Sequence, residues 1–389
     1  MKIFLFTLFR LVLNAVYLPL KLFPQKDKIT FLSRQGNEPG VDFLMLTEEM
    51  KRSYPQYVTV VLCRKLGNGI FNKIAYGFHM LRQMYHIATS RVAVLDSYCI
   101  AVSLLSHKKN LKVFQIWHAL GLFKHFGYTA IGKKEGSSEF TAKAMRMHRN
   151  YDYVICSGDE LVSDIAAAYD ISPSKVIPLG LPRMDYILSE TVREHNRDKI
   201  INAYPDIDNG RKNILYVPTF RKTAENKFTV LVDNIDFSEY NLIVKLHDGK
   251  ELVYVDKEIC GTGESAFGMD FLHIADAVIT DYSAIIFEAA LLQKPIYLYC
   301  YDYTSYMEDR GLYIDYMNLP MVISEDIKMI IKAIEQDDFD KNTISDFLKR
   351  YVPYRNIDIT KTLCSMFVQA AEEKNVFDVE YIVKLDKLL

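Results

Sequence analysis

The stretch ADAVITDYSAIIFEAALLQKPIYLY, residues 275–299, predicts a strand, a polar turn, a helix and a second strand in direct succession. The apolar run at 277–279 is typical of a buried strand, and Lys294-Pro295 ends the helix. A β-α-β unit of this kind has a right-handed crossover. The polar turn at 280–283 therefore falls at the carboxyl edge of a parallel sheet, where open α/β sheets bind their ligands.

This turn contains Thr280, Asp281 and Ser283. Free backbone N–H groups at the start of a helix favour an anion, and two hydroxyl groups add hydrogen-bond donors, so the turn predicts a phosphate site. The alternative is that Asp281 or Ser283 only caps the helix. The pattern of the stretch leaves both interpretations open.

Composition indicates a globular chain of two domains. It has 389 residues, 50% hydrophobic and 25% charged, with a net charge of −2, which excludes a disordered chain and gives no reason to expect nucleic acid as a partner. The six cysteines are far apart and show no metal-ligand spacing, so we interpret them as buried thiols of a reducing compartment. No metal site is predicted, and the need for Mg²⁺ stays open.

The first residues, MKIFLFTLFRLVLNAVYLPLKLF (1–23), are apolar, but no A-x-A cleavage site follows them. On a helix the polar residues fall on one narrow stripe. They are Thr7, Arg10, Asn14, Tyr17 and Lys21. We predict an amphipathic helix over residues 1–24 that lies in a membrane interface with its basic residues at the headgroups. A membrane span and a helix packed on the protein itself, with the polar stripe exposed, are the alternatives.

Strand and helix patterns alternate through most of the chain, which predicts parallel sheets covered by helices on both faces. We expect an N-terminal Rossmann-like domain at 25–205, a second one at 206–360 and a helical segment at 361–389. The boundary is placed at the polar stretch PDIDNGRK, 205–212, whose Asp-x-Asp pair is better explained by turn chemistry than by metal binding. A loop is expected at Gly261-Thr262-Gly263.

Several polar residues follow predicted strands. His118 follows QIW, at a position where a general base is useful near neutral pH, although a structural histidine is the alternative. Arg221 follows the predicted strand 213–217, whereas Lys245 and His247 accompany the strand 242–246. Together with the turn at 280–283, these residues would neutralise a phosphate from several sides.

Six segments in a fixed order resemble the CDP-glycerol glycerophosphotransferase family, the teichoic acid primases and polymerases of Gram-positive bacteria. They are QIWHALGLFKHFG (115–127), GLPRMD (180–185), YVPTFRK (216–222), VKLHDGK (244–250), the segment 275–302 and RGLYID (310–315). The resemblance implies an α/β protein of GT-B architecture, with two Rossmann-like domains facing across a cleft. It also implies transfer of glycerol or ribitol phosphate from a CDP-polyol to a hydroxyl of a lipid-linked acceptor, with release of CMP.

The resemblance also implies roles for individual residues. His118 and His247 would be the catalytic residues: His118 would be the base, and His247 would bind or neutralise the donor pyrophosphate. Glu288 would bind the ribose hydroxyls. The implied substrate-binding residues are Trp117, Arg221, Lys245, Thr280, Asp281, Ser283, Glu288 and Arg310. The implied partners are the CDP-polyol, the lipid-linked acceptor and the membrane surface, with the protein peripheral on the cytoplasmic face of the membrane.

Two other functions stay open: a GT-B glycosyltransferase that uses a sugar nucleotide, and a non-catalytic membrane-associated scaffold. The length accommodates one GT-B body without the extra N-terminal region expected of the long polymerases, and both primase and short polymerase stay open. The choice between glycerol and ribitol and the oligomeric state are not predicted.

Overall fold

The structure, a computed structural model, describes residues 2–134, 136–219, 228–246, 250–263 and 267–373. The chain divides into two units. Unit 1 comprises Met1–His118, His125–Asp185 and Tyr354–Leu389, and unit 2 comprises Ala119–Lys124 and Tyr186–Pro353. Arg221 and His247 of the predicted site lie outside the described residues.

The described part of unit 1 contains a parallel sheet of six strands in the order β2-β1-β3-β4-β5-β6. The strands are β1 (Lys28–Ser33), β2 (Val58–Cys63), β3 (Val92–Leu95), β4 (Lys112–Gln115), β5 (Tyr153–Cys156) and β6 (Val176–Pro178). β1 and β3 are buried along their whole length, as expected of parallel strands with helices on both faces.

Helices connect these strands and cover the sheet. They are α1 (Lys2–Leu20), α2 (Val41–Ser53), α3 (Ile70–Ala88), α4 (Ile100–Leu104), α5 (Glu139–Ala144) and α6 (Val162–Tyr169). The next helix, α7 (Arg183–Leu188), begins in unit 1 and ends in unit 2. The helix α14 (Ile359–Ala371) also belongs to unit 1, where Phe367 contacts Phe31 of β1 and Phe114 of β4 edge to face. The carboxylate of Asp185 accepts hydrogen bonds from the backbone N–H groups of Ile359 and Thr360 and so holds the start of this helix.

The described part of unit 2 contains a second sheet, in the order β10-β9-β8-β7-β11-β12-β13. Its strands are β7 (Lys212–Val217), β8 (Tyr240–Lys245), β9 (Glu251–Val255), β10 (Glu258–Gly263), β11 (Ala277–Thr280), β12 (Ile296–Tyr299) and β13 (Val322–Ser324). The helices are α8 (Glu190–Ala203), α9 (Phe228–Asn234), α10 (Ile285–Leu291), α11 (Tyr303–Asp309), α12 (Ile327–Glu335) and α13 (Lys341–Tyr351). β9 pairs with β8 and β10 in antiparallel fashion, and the other pairs are parallel.

The prediction of a loop at Gly261-Thr262-Gly263 is wrong, because these residues form the end of β10. Glycine is needed for packing there. A Cβ atom on Gly261 would come within 2.4 Å of the Tyr204 ring, and one on Gly263 within 2.3 Å of its hydroxyl oxygen. The two glycines that predict a loop are therefore present because the Tyr204 side chain packs closely over this strand.

The boundary between the units falls at Asp185–Tyr186, whereas the sequence places it at 205/206. The difference is the helix α8. Its buried Asn196 donates a hydrogen bond to Asp270 and contacts His273, both in unit 2. These contacts assign α8 to unit 2, although α8 precedes the polar stretch 205–212 at which the sequence places the boundary.

The polar stripe of α1 faces the protein at Asn14 and Tyr17, whereas Thr7 is exposed. The Asn14 amide donates to the Leu104 carbonyl oxygen and accepts from the Ser106 N–H, and the Tyr17 hydroxyl bonds to His107. This orientation is the reverse of the alternative in which the stripe is exposed. The outward side of α1 is apolar. Within the described residues, no helix has the length and hydropathy to cross a bilayer.

Candidate active site

His118 follows β4 through an unusual backbone turn. Trp117 has a φ of 62°, in the left-handed region that bulky residues rarely adopt. The Trp117 ring stacks on Phe126 at a centroid distance of 4.2 Å and lies 3.9 Å from the His118 ring. The tryptophan that the sequence assigns to substrate binding thus packs beside the imidazole and positions it after the strand.

The hydrogen bonds of His118 fix its tautomer. Its Nδ1 atom lies 3.0 Å from the backbone carbonyl oxygen of Asp96 and 3.1 Å from the side-chain amide of Gln35. A carbonyl oxygen only accepts, so Nδ1 carries the proton. The Gln35 amide nitrogen lies at the 3.1 Å distance, and the amide must turn by 180° to present its oxygen to this N–H group. Nε2 is left with its lone pair.

Burial lowers the pKa of His118 to about 4, and the charge of Arg183 acts in the same direction, against the hydrogen bond to Asp96. The imidazole is therefore neutral at pH 7. A neutral imidazole with an unprotonated Nε2 is able to take a proton from a hydroxyl group. These are the properties that the predicted role of His118 requires.

Two acidic residues that no sequence motif points to lie around this histidine. Asp96 follows β3, and burial raises the pKa of its carboxyl group to about 6 against hydrogen bonds from Ser33 and Ser97. Asp42, in the first turn of α2, accepts from the backbone N–H of Arg183 at 2.9 Å and from its Nε at 3.0 Å. A position at the end of a strand is the signal that could have identified Asp96.

In unit 2 the polar turn 280–283 is partly turned inward. The Thr280 hydroxyl donates to the Val217 carbonyl oxygen at 2.6 Å. The Asp281 carboxylate accepts from the backbone N–H groups of Thr219, at 2.9 Å, and Tyr282, at 2.6 Å. Thr280 and Asp281 are both fully buried. Together they tie the end of β11 to the chain that follows β7.

Ser283 is the exception in this turn, because it is half-buried. Its Oγ atom lies 3.4 Å from the backbone N–H of Ile285, the first residue of α10. Of the two capping candidates, Ser283 therefore contacts the helix, whereas Asp281 binds Thr219 and Tyr282. Ser283 presents the accessible hydroxyl of the turn.

Lys245 has a partner inside the protein. Its Nζ atom lies 2.8 Å from a Glu251 carboxylate oxygen, and the other oxygen accepts from the Tyr204 hydroxyl at 2.7 Å. Both members of the ion pair are buried. This contact gives Lys245 a structural role at the end of β8, next to the segment that carries His247.

The other predicted residues of unit 2 lie on or near α10 and α11. Glu288 is buried within α10, and Arg310 follows α11 and is half-buried. The segment after His118 also belongs to unit 2: Lys124 donates to the Thr219 hydroxyl at 3.2 Å. Among the described residues, no group of three or more His, Cys, Asp or Glu side chains is arranged to hold a metal ion.

Two α/β units, one with a parallel sheet and one with a mainly parallel sheet, are characteristic of the GT-B class of fold. The sequence predicts this class, and a solved structure confirms it. The wall teichoic acid polymerase TagF matches with a TM-score of 0.73 at 18% identity, over 96% of this chain and 98% of that chain. At that identity the likeness concerns the fold alone.

Residues 15–367 match the family model of the CDP-Glycerol:Poly(glycerophosphate) glycerophosphotransferases, and the chain belongs to this family. The predicted family is thereby confirmed. The teichoic acid ribitol-phosphate primase of Bacillus spizizenii is 31% identical over 92% of this chain and 95% of its own length. The teichoic acid poly(ribitol-phosphate) polymerase of the same species is 29% identical over 77% of this chain, which spans half of that polymerase.

Proposed function

We propose that this protein transfers a polyol phosphate from a CDP-polyol to a hydroxyl group of a lipid-linked acceptor in teichoic acid synthesis, and that it releases CMP. Membership of the family and the likeness to a ribitol-phosphate primase support the reaction class. The observation that carries the proposal is the neutral His118, whose Nδ1 proton is held by the Asp96 carbonyl oxygen while Nε2 stays free of it.

In the proposed reaction, the acceptor hydroxyl attacks the β-phosphorus of the donor in line with the bridging oxygen. His118 Nε2 takes the hydroxyl proton as the new O–P bond forms. The bond between the β-phosphorus and the bridging oxygen breaks, and that oxygen leaves as part of CMP. A positioned base contributes roughly 10²–10⁴-fold to such a step, and hydrogen-bond donors to the phosphates contribute the rest.

We place the donor in unit 2. The half-buried Ser283 is the described hydroxyl best suited to a donor phosphate, and Glu288 is assigned to the ribose by its motif position. Arg221, His247 and Arg310 are the proposed partners of the pyrophosphate. Lys245 has its charge neutralised by Glu251. We therefore give it a structural role beside this site rather than a direct contact with a phosphate.

We further propose that unit 1 docks on the cytoplasmic face of the membrane through an apolar surface formed by α1 and α3, which pack against each other. Leu11 and Leu18 of α1 are 59% and 63% exposed, and Phe71 and Phe78 of α3 are 83% and 70% exposed. Exposed aromatic and aliphatic side chains on adjacent helices are typical of interfacial binding. A lipid-linked acceptor makes the bilayer the expected occupant.

Co-sedimentation with anionic vesicles tests this surface. Leu18→Glu and Phe71→Glu should each reduce the bound fraction, since a buried carboxylate opposes insertion. Ile259→Glu is the matched control, because Ile259 is 53% exposed on β10 in the other unit. Equal binding by all three variants would refute the docking surface.

The reaction is tested by incubating the purified protein with CDP-ribitol or CDP-glycerol and a lipid-linked disaccharide. Acceptor-dependent release of CMP and a product heavier by one or more polyol phosphates is expected with one of the donors. Sugar transfer from a UDP-sugar instead would favour a glycosyltransferase. Absence of CDP-polyol binding by calorimetry would favour the scaffold.

A further inference from the structure

Arg34 directly follows β1 and precedes Gln35, whose amide contacts the His118 ring. Its guanidinium carbon lies 6.0 Å from the ring centroid of Tyr76 and 5.7 Å from that of Tyr98. One terminal nitrogen donates to the Tyr98 carbonyl oxygen at 3.2 Å. The residue as a whole is half-buried.

The charge of Arg34 is not balanced locally. Within the part of the chain that the structure describes, its contacts are the two aromatic rings, the Tyr98 carbonyl oxygen and the Ser97 hydroxyl, and none is a carboxylate. Its buried Nε atom and the buried Tyr76 hydroxyl have no hydrogen-bond partner among the described residues. Buried donors of this kind are completed by water or by a ligand.

We propose that Arg34, assisted by the Tyr76 hydroxyl, binds a phosphate group of the acceptor substrate next to the catalytic base. A guanidinium group matches two phosphate oxygens at once, and the aromatic faces restrict its plane. This proposal rests on the proposed function, because it assigns the recognition of the acceptor in that reaction.

The location of Arg34 favours the acceptor over the donor. Its neighbour Gln35 contacts His118, where the acceptor hydroxyl must be deprotonated. On its other side is Tyr76 of α3, the helix that exposes Phe71 and Phe78. A lipid-linked acceptor has its phosphate between the reacting sugar and the lipid. Its phosphate would therefore meet the guanidinium while its hydroxyl meets the imidazole.

Two acceptors test the assignment: a disaccharide joined to a short lipid by a diphosphate, and the same disaccharide as a neutral alkyl glycoside. Arg34→Gln should raise the KM for the diphosphate acceptor by about tenfold or more, while the KM for the donor and for the neutral acceptor stay unchanged. The KM of Arg34→Lys for the diphosphate acceptor should lie between those of the wild type and Arg34→Gln. Lysine keeps the positive charge but cannot donate two parallel hydrogen bonds as a guanidinium group does. Arg91→Gln is the control, since Arg91 precedes β3 at the opposite edge of the sheet and pairs with Asp27.

An equal rise in KM for both acceptors would overturn the assignment, because it would show that Arg34 only positions the loop. Binding to anionic vesicles without acceptor provides a second arm. Weaker vesicle binding by Arg34→Gln would assign the residue to bilayer headgroups instead and would also overturn it. Failure of the wild-type protein with both acceptors and every CDP-polyol would refute the proposed function itself, a result distinct from either outcome.

Discussion

His118 and Asp96 are joined by a hydrogen bond of 3.0 Å between the imidazole Nδ1 and a backbone carbonyl oxygen. A backbone acceptor is always present and does not titrate, so it sets the tautomer of the histidine wherever the imidazole is neutral. The Asp96 side chain is thereby left for other contacts, including hydrogen bonds from Ser33 and Ser97. The proposed base is oriented by the fold itself rather than by a partner carboxylate.

We expect His118→Ala to lower turnover by roughly 10²–10⁴-fold, the usual contribution of a general base. Binding of the CDP-polyol should be retained, because we place the donor in unit 2. Single-turnover kinetics and calorimetry measure the two quantities. His195→Ala, in α8, is the control and should behave like the wild type. A folded His118→Ala protein with normal turnover would contradict the base assignment.

The pH profile should differ from that of an ordinary histidine base. Burial lowers the pKa of His118 to about 4, so the active neutral form is present above that value and is lost as the pH falls through it. The acid limb of kcat/KM for His118 should therefore lie well below pH 6.5, the ordinary value of histidine. Short assays between pH 4.5 and 8 should therefore show no fall in kcat/KM centred near pH 6.5. An acid limb centred near pH 6.5 would show that the imidazole is not desolvated in the free enzyme.

Ser283 and Asp281 lie two residues apart and should respond differently to truncation. Ser283→Ala should raise the KM for the donor with little change in the midpoint of thermal unfolding, because the hydroxyl is half-buried and makes one long hydrogen bond. Asp281→Ala removes a fully buried acceptor of two backbone N–H groups and should destabilise the fold by about 1–3 kcal/mol. A comparable loss of stability in both variants would show that the Ser283 hydroxyl is needed for the fold rather than for the donor.

The sequence predicts those parts of the fold and site that depend on local pattern. The apolar runs identify β11 and β12, and the polar turn between β11 and α10 falls where expected. His118 also follows an apolar strand, β4, as the sequence predicts. The sequence pattern places these residues correctly because the secondary structure at each of them is decided by its neighbours along the chain.

Contacts between distant segments are the parts that the sequence does not predict. Asp42 and Arg183 are 141 positions apart, and neither belongs to a recognisable pair. Glu251 neutralises Lys245 because the antiparallel pairing of β8 with β9 places the two opposite each other. The polar stripe of α1 is visible in the sequence, but the side that faces the protein is decided by polar groups near the end of α4.

The ion pair between Asp42 and Arg183 should be important for the stability of unit 1. Both side chains are almost fully buried, so Asp42→Ala leaves a cation without its partner, which typically costs about 3–5 kcal/mol. Glu190→Ala is the matched control: its pair with Arg193 is exposed and should cost less than about 1 kcal/mol. Urea unfolding measures both. A similar cost for the two variants would mean that the Asp42 pair is dispensable.

The contact between Tyr17 and His107 should make the packing of α1 on the rest of unit 1 sensitive to pH. His107 Nε2 donates to the Val102 carbonyl oxygen at 2.8 Å, so its Nδ1 accepts from the Tyr17 hydroxyl at 3.0 Å. Burial lowers the pKa of His107 to about 4. Since the unfolded chain titrates near 6.5, it binds more protons than the folded chain between these values, and stability falls as the pH drops from about 6.5 to about 4.

Tyr17→Phe should lower the free energy of unfolding by about 0.5–1.5 kcal/mol at pH 7, because the His107 acceptor loses its donor. His107→Gln should reduce the loss of stability between pH 7 and 5, since that position no longer titrates. Tyr85→Phe, an exposed tyrosine on the neighbouring α3, is the control for hydroxyl removal and should change neither quantity. Urea unfolding at both pH values, combined with limited proteolysis of α1, measures the effects. An unchanged pH dependence in His107→Gln would assign the acid sensitivity to other buried histidines, such as His148, whose pKa burial lowers to about 3.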